Sequence, residues 1–261
     1  MGPRVPVAVS LAAVLIAATP VPAQTPPQAA PAQQAAPQPA APKPYKATAV
    51  TPPAALEDPA FAAFRKQLGA AADKKDRKAL AAMIAANFFW MGENGDKADK
   101  RKPGIDNLSK AIGLDNKDAE GWDILAAYAA DPTAMPFPDR KDTVCAPADP
   151  SFDAKAFEEL VKSTGTDPGE WAYPVQSNLE MRAGLQPNAA VVETLGMNFV
   201  RVLQDESGGG NADNPMLRVV APSGKVGYVP IDALSPIGND QLCYSKDAGG
   251  WKISGFIGGE P

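Results

Sequence analysis

The sequence contains no histidine, the residue most often used as a general base and a frequent ligand of zinc. This absence excludes Ser–His and Cys–His nucleophilic catalysis, together with zinc sites that depend on histidine. An enzyme built from this chain would have to use carboxylates, lysine, tyrosine or serine alone. We therefore predict a protein that is not an enzyme, with no metal centre and no cofactor.

Long apolar runs are also lacking, apart from one at the amino terminus. Residues 1–23 combine Arg4, the run VPVAVSLAAVLIAA and the small-residue exit VPA, which ends at Ala23. These features are typical of a secretory signal peptide, and the run is too short for an ordinary membrane span. The sequence therefore predicts cleavage before Gln24, no membrane anchor, and a periplasmic or secreted protein.

Cysteine is scarce, since only Cys145 and Cys243 occur. In an exported chain with two cysteines, an intramolecular disulfide is the default expectation. A catalytic thiolate at Cys145 is the alternative, but the sequence offers no histidine to activate it. We therefore predict a Cys145–Cys243 disulfide that ties the carboxyl terminus to an earlier part of the chain.

Clustered positive charge is also missing, and the whole chain carries a formal net charge of −5. Phosphate backbones require clustered lysine and arginine, so nucleic acid is not predicted as a partner. The loop GENGDKADKRK suggests a calcium site, but it lacks the usual ligand spacing and its cations would oppose an ion, so we predict a solvated loop. Its carboxylates are Glu93, Asp96 and Asp99, and its cations are Lys97, Lys100, Arg101 and Lys102.

Residues 24–55 consist mainly of proline, alanine and glutamine without apolar periodicity. Such a segment cannot bury enough surface to offset the entropy of ordering, so a disordered linker is predicted. Its PAAP sequence at 39–42 has the spacing of a polyproline-II ligand, which a proline-rich segment also produces by chance.

Residues 56–169 have the pattern of a helical domain. Asp58, Asp76 and Asp153 precede apolar residues at three- and four-residue spacing, as helix N-caps do. Gly113 and Gly165 follow such stripes, as helix C-caps do. One predicted helix carries Leu80, Met83, Ile84 and Phe88 on a single face.

From Trp171 the hydrophobic period changes from helical to two, which predicts short strands. Asn178 with LEMRAG is followed by AVVETLG, VRVLQDE and GKVGYVPIDAL. In this order the elements resemble the bacterial SH3 domains of exported proteins, over residues 176–236. The sequence departs from the family pattern at 215–217, where PML replaces a tryptophan, and in the longer loop SGGGNAD before it.

The resemblance implies an SH3-like barrel over residues 170–236 and a groove that binds a cell-wall peptide or a protein segment. We expect Tyr173, Arg182 and Tyr228 to be the binding residues. An alternative without any ligand makes the barrel purely structural, with Trp171, Tyr173, Phe199 and Tyr228 in a core or an interface.

Residues 237–261 predict a β-hairpin that packs on the rest of the chain. Its GGWKISGF, with FRKQLGAAADKKDRKALAAMI near residue 64, resembles the last strand and first helices of the nuclear-transport-factor-like cone fold. The predicted fold class is nevertheless α+β, with an N-terminal helical domain, a small SH3-like barrel and a C-terminal β-hairpin.

Three functional hypotheses follow. The first is a non-enzymatic exported binding or scaffold protein whose partner is a cell-wall peptide or a periplasmic protein. The second is a glycan-cleaving enzyme that uses paired carboxylates, and the third is a structural barrel with no ligand. The carboxylates available to the second hypothesis are Glu57, Glu93, Asp106 and Glu120, none of which lies in an identifiable motif.

Overall fold

The computed structural model describes residues 42–203, 209–211 and 214–259, so the predicted signal peptide and residues 24–41 of the predicted linker lie outside it. The described residues form five α-helices and sixteen strands. The helices are Pro59–Asp73 (α1), Arg77–Ala82 (α2), Gly104–Ile112 (α3), Glu120–Ala130 (α4) and Ala154–Thr164 (α5). The strands are Val50–Thr51 (β1), Ile84–Gly92 (β2), Gly95–Asp96 (β3), Met135–Pro136 (β4), Thr143–Ala146 (β5), Ser151–Phe152 (β6), Trp171–Pro174 (β7), Leu179–Arg182 (β8), Val191–Leu195 (β9), Val200–Leu203 (β10), Gly209–Asn211 (β11), Asn214–Val220 (β12), Val226–Pro230 (β13), Leu234–Pro236 (β14), Gln241–Asp247 (β15) and Gly250–Ile257 (β16).

A six-stranded sheet brings together strands that are far apart in the sequence. Its strand order is β3-β2-β16-β15-β5-β4, and β2 and β16 are parallel whereas the other neighbours are antiparallel. The predicted C-terminal hairpin is present as β15 and β16, in the middle of this sheet. Residues 147–240 leave the sheet after β5 and return to it at β15, and we call them the inserted region.

Helices α1 to α4 pack on one face of this sheet and share a hydrophobic core with it. Phe61 and Leu68 of α1 and Leu108 of α3 are fully buried against sheet residues that include Trp90 and Tyr244. Local sequence rules explain where the helices start and stop, since Asp58, Asp76 and Asp153 do cap α1, α2 and α5. Gly113 and Gly165 do end α3 and α5 in the left-handed conformation.

The prediction of an N-terminal helical domain at 56–169 is wrong. The described part of the chain is mostly β, with three sheets, and its helices are short. The decisive error is at Ile84 and Phe88, which lie on strand β2 and not on a helix. Phe88 and Trp90 pack toward the helices while Phe89 packs on the opposite face, so the period in this segment is two.

The inserted region contains a second sheet of eight strands, in the order β14-β7-β10-β12-β13-β8-β9 with β11 paired to β12. Within the described residues its edge strands β14 and β9 do not pair with each other, so the sheet is open. The prediction of a closed SH3-like barrel at 170–236 is therefore wrong. Alternation of apolar residues identified the strands, but it carries no information about whether two edges meet.

The positions of Cys145 and Cys243 are compatible with the predicted disulfide. They oppose each other directly on the neighbouring strands β5 and β15, with their sulfur atoms 1.98 Å apart, which is a disulfide distance. Both residues are buried beside Phe89. The pair lies where the inserted region leaves and re-enters the six-stranded sheet. In the ranges that the structure describes, no helix is long and apolar enough to cross a membrane.

Candidate functional site

Residues 42–51, which we call the amino-terminal segment, run in an extended conformation across the inserted region. The amide of Tyr45 donates to the carbonyl of Pro222 at 3.0 Å, and the amide of Phe199 donates to Thr48 at 3.0 Å. The amide of Val50 donates to the carbonyl of Met197 at 2.9 Å, and β1 pairs with β6. The inserted region therefore holds this segment largely by backbone hydrogen bonds, as a sheet edge holds an added strand.

Tyr45 is the principal side chain by which the segment is held. Its ring packs edge-on against Trp171 with the centroids 5.1 Å apart. Its hydroxyl donates to the carbonyl of Val220 at 2.7 Å and lies 3.3 Å from that of Phe199. Burial raises the pKa of the Tyr45 hydroxyl well above its usual value, so the group is a neutral donor at physiological pH.

The segment continues into an apolar cluster beneath α5. Thr48 and Val50 are each only 4% exposed, whereas Ala49 between them is exposed, which is the alternation of a strand. Val50 packs in one cluster with Phe157 and with aromatic residues of the sheet. The segment therefore presents one face to the inserted region and the other to solvent.

Gly224 allows the turn after β12 to approach the segment closely. Its φ of +81° lies in the left-handed region, and a Cβ there would lie 2.8 Å from the backbone nitrogen of Pro44. Any larger residue would therefore push Pro44 away from the turn. The missing side chain therefore permits the backbone of the segment to lie directly against the turn.

A cavity of about 230 Å³ remains open beside the exposed side chain of Ala47. Glu193 is part of its wall, and this carboxylate accepts a hydrogen bond from Ser223 and lies 3.8 Å from the ammonium group of Lys225. The other lining residues are Thr194, Leu195, Gly196, Asn198, Val200 and Pro222. We call the surface of the inserted region that holds the amino-terminal segment the groove, and this cavity makes it wider than the segment.

Of the predicted binding residues, the structure brings two together and separates the third. Arg182 and Tyr228 are direct cross-strand neighbours on β8 and β13, and both are half-buried. The Arg182 guanidinium pairs with Glu180 and donates to the carbonyl of Ala189 at 2.9 Å. Tyr173 is only 4% exposed and packs in the core cluster behind the segment, so it offers little surface to a ligand.

Sequence reasoning missed Tyr45 and Gly224, which make the closest contacts of the segment. Tyr45 lies in the segment that composition predicts to be a disordered linker, and Gly224 lies in a turn between two predicted strands. The available signal was that Tyr45 is the only aromatic residue between positions 24 and 55. An isolated aromatic residue in a proline-rich segment is typical of a residue that packs on a partner surface.

In the loop GENGDKADKRK, which the sequence predicts to be solvated and not a calcium site, Asp96 and Asp99 accept hydrogen bonds from the protein itself. Asp96 accepts hydrogen bonds from the amides of Trp90 and Ala98 and from the ammonium of Lys100. Burial opposes ionisation of Asp96, but these bonds outweigh it and its pKa is lowered. Asp106, a candidate for carboxylate catalysis, pairs with Arg77 at 2.8 Å.

Comparison of the chain with family models, with curated proteins and with solved structures finds no match. The resemblance of residues 176–236 to bacterial SH3 domains therefore stays a prediction from the motif residues. The function has to be argued from the geometry of the chain itself.

Proposed function

We propose that this chain is a non-enzymatic exported binding protein whose inserted region holds extended peptide segments, from the cell wall or from a periplasmic protein. The single observation that carries the proposal is the amino-terminal segment, which occupies the inserted region as a bound peptide would. Its contacts combine a backbone ladder with one aromatic side chain, Tyr45, against Trp171. Backbone bonds supply affinity in such complexes, and the side-chain contacts supply specificity.

The amino-terminal segment acts as an internal competitor for the groove. A segment tethered to its own binding site has an effective concentration on the order of millimolar, so a free peptide of the same sequence competes poorly. A partner gains access when the internal segment is weakened or displaced. The partner is an extended segment with a proline followed by a tyrosine, since Pro44 meets Gly224 and Tyr45 meets Trp171.

The test is binding of a labelled peptide of residues 40–53 to the full chain, measured by fluorescence polarisation. We expect weak binding to the native chain and at least tenfold tighter binding to Tyr45→Ala, because that variant weakens the internal competitor. A peptide with alanine in place of Tyr45 should not bind either protein. Circular dichroism establishes that Tyr45→Ala is folded, and Lys46→Ala, an exposed neighbour, is the matched control. Absence of binding to folded Tyr45→Ala would contradict the proposal.

A second candidate function rests on the pairing of Arg182 with Tyr228. A guanidinium beside a half-exposed phenol is suited to an acidic peptide, which would have to displace Glu180 from Arg182. Under this hypothesis Arg182→Ala and Tyr228→Ala weaken retention by isolated cell-wall sacculi and leave the fold intact. Unchanged retention of both variants would remove this candidate and leave the groove proposal untouched.

A further inference from the structure

The six-stranded sheet has a polar pocket of about 530 Å³ on the face turned away from helices α1 to α4. Tyr244 and Ile253 pack toward the helices, so their neighbours Ser245 and Ser254 belong to the opposite face. The lining residues are Ile84, Ala85, Ala86, Asn87, Phe89, Arg140, Lys141, Thr143, Ser245, Asp247, Lys252 and Ser254. None of them belongs to the amino-terminal segment or to the inserted region.

Three hydroxyl-bearing residues line this pocket from three adjacent strands. Thr143 on β5 is directly opposite Ser245 on β15, and Ser254 lies on β16 at a register shift. Ser254 is only 7% exposed, and its hydroxyl has no hydrogen-bond partner among the described residues. Because the Ser254 hydroxyl oxygen is closed off from solvent, the half-buried Ser245 is the hydroxyl residue of this row that is most open to a ligand.

Positive charge is concentrated at the same pocket, although the chain as a whole carries net charge −5. Arg140, Lys141 and Lys252 contribute cations and Asp247 contributes the one carboxylate of the lining. Arg140 also lies 3.7 Å from Asp96 and the Lys252 ammonium donates to the carbonyl of Ala82 at 2.7 Å, so Lys141 is the cation for which a ligand is the main partner. The guanidinium carbon of Arg140 lies 4.1 Å from the centroid of the Phe89 ring, which holds this cation at the pocket edge.

The Phe89 ring is itself fixed in position. A Cβ at Gly255 would lie 2.3 Å from this ring, so the glycine leaves the space that the ring fills. Phe137 stacks on the other side, with centroids 5.8 Å apart and planes 13° from parallel. Phe89 is only 1% exposed, so it fixes the position of Arg140 and offers almost no surface of its own to a ligand.

We propose that this pocket binds a small sugar that carries an anionic group, either phosphate or carboxylate. Lys141 meets the anionic group, with Arg140 and Lys252 adding positive charge beside it, and Ser245 and Asn87 exchange hydrogen bonds with the sugar hydroxyls. The volume is within the range of small-molecule sites. This inference goes beyond the peptide groove and does not depend on it.

The first experiment measures binding of four probes to the full chain by isothermal titration calorimetry. We expect glucose 6-phosphate and glucuronate to bind at least tenfold more tightly than glucose or inorganic phosphate, because only the first two engage both halves of the pocket. Their affinity should fall as sodium chloride is raised, since the ion contacts are screened. Equal affinity for glucose 6-phosphate and inorganic phosphate, or no binding of either anionic sugar, would overturn the proposal.

The second experiment assigns the binding to this pocket. Lys141→Gln with Lys252→Gln should weaken binding of the anionic sugars at least tenfold, and Ser245→Ala should weaken it about threefold or more. Lys155→Gln with Lys162→Gln on α5, two exposed residues outside the pocket, is the charge-matched control and should bind as the native chain does. Thermal unfolding establishes that every variant is folded. Native affinity in both folded pocket variants would refute the assignment.

Discussion

Removal of the Cys145–Cys243 pair by a double substitution to alanine should cost the chain about 4.7 kcal/mol of stability through the unfolded state alone. The two residues are separated by 98 positions, and the loop-entropy relation for a loop of that length gives this value at 25 °C. Loss of the two buried sulfur atoms adds about 1 kcal/mol for each. β5 and β15 keep their backbone pairing, so we expect the native fold to survive.

The assay is urea unfolding followed by tryptophan fluorescence, with the oxidised native chain and the Cys145→Ala/Cys243→Ala variant compared at one pH. With a slope of about 3 kcal/mol/M, the loop term lowers the midpoint by about 1.6 M. The native chain unfolded under reducing conditions is the third sample. It isolates the effect of the bond from the effect of the alanine side chains.

Two results would refute this reasoning. One is a change in unfolding free energy below about 1 kcal/mol for the double variant, which is far less than the loop term. The other is alkylation of both thiols in the native protein under non-reducing conditions, which would mean that the neighbouring cysteines are not joined.

Three further predictions concern single residues. Tyr45→Phe should lower the free energy of unfolding by about 1 kcal/mol, because it removes the hydroxyl bond to Val220; an unchanged urea midpoint would argue against that bond. Met181→Asp should abolish folding, since Met181 is fully buried and the charge would have no partner; a native-like circular dichroism spectrum would contradict this. Hydrogen bonds from Lys246 and from the first amides of α1 lower the pKa of Asp58 to about 2. The stability from ionised Asp58 is therefore complete above about pH 4 and is lost as the pH falls through about 2, so native chain should lose more thermal stability than Asp58→Asn between pH 5 and pH 2; equal losses would exclude this role.

Local rules predicted the helix boundaries because the atoms that decide them are close in sequence. Asp58 and Asp153 accept hydrogen bonds from amides two and three residues ahead. Gly165 ends its helix through its own left-handed backbone conformation. Nothing distant is needed for any of these features, so the sequence was sufficient.

Strand β2 could not be predicted in the same way because its partner is distant. Ile84 and Phe88 are spaced for a helical face, and they also fit a strand that is buried on both sides. The choice is made by β16, which pairs with β2 from the far end of the chain. The spacing of apolar residues within a short window of sequence cannot predict that pairing.

The candidate groove was missed for a related reason. Composition predicts disorder for a segment that cannot bury its own surface, and residues 42–51 indeed have no core of their own. The inserted region supplies the surface against which Val50 and Tyr45 pack. Arg182 and Tyr228 were chosen from the resemblance to SH3 domains, and their pairing across β8 and β13 is as distant in sequence as the packing of Tyr173 against α5 and the segment.

The central place of β15 and β16 in the six-stranded sheet sets an order for synthesis on the ribosome. β15 and β16, which cover the helices, are made after the inserted region, and the amino-terminal segment is available to that region before them. Until then the apolar sides of α1, α3 and α4 lack the sheet face that buries them. A chain that ends before Gln241 therefore keeps that surface open to solvent, and proteases and chaperones should remove it rather than leave a partly active product.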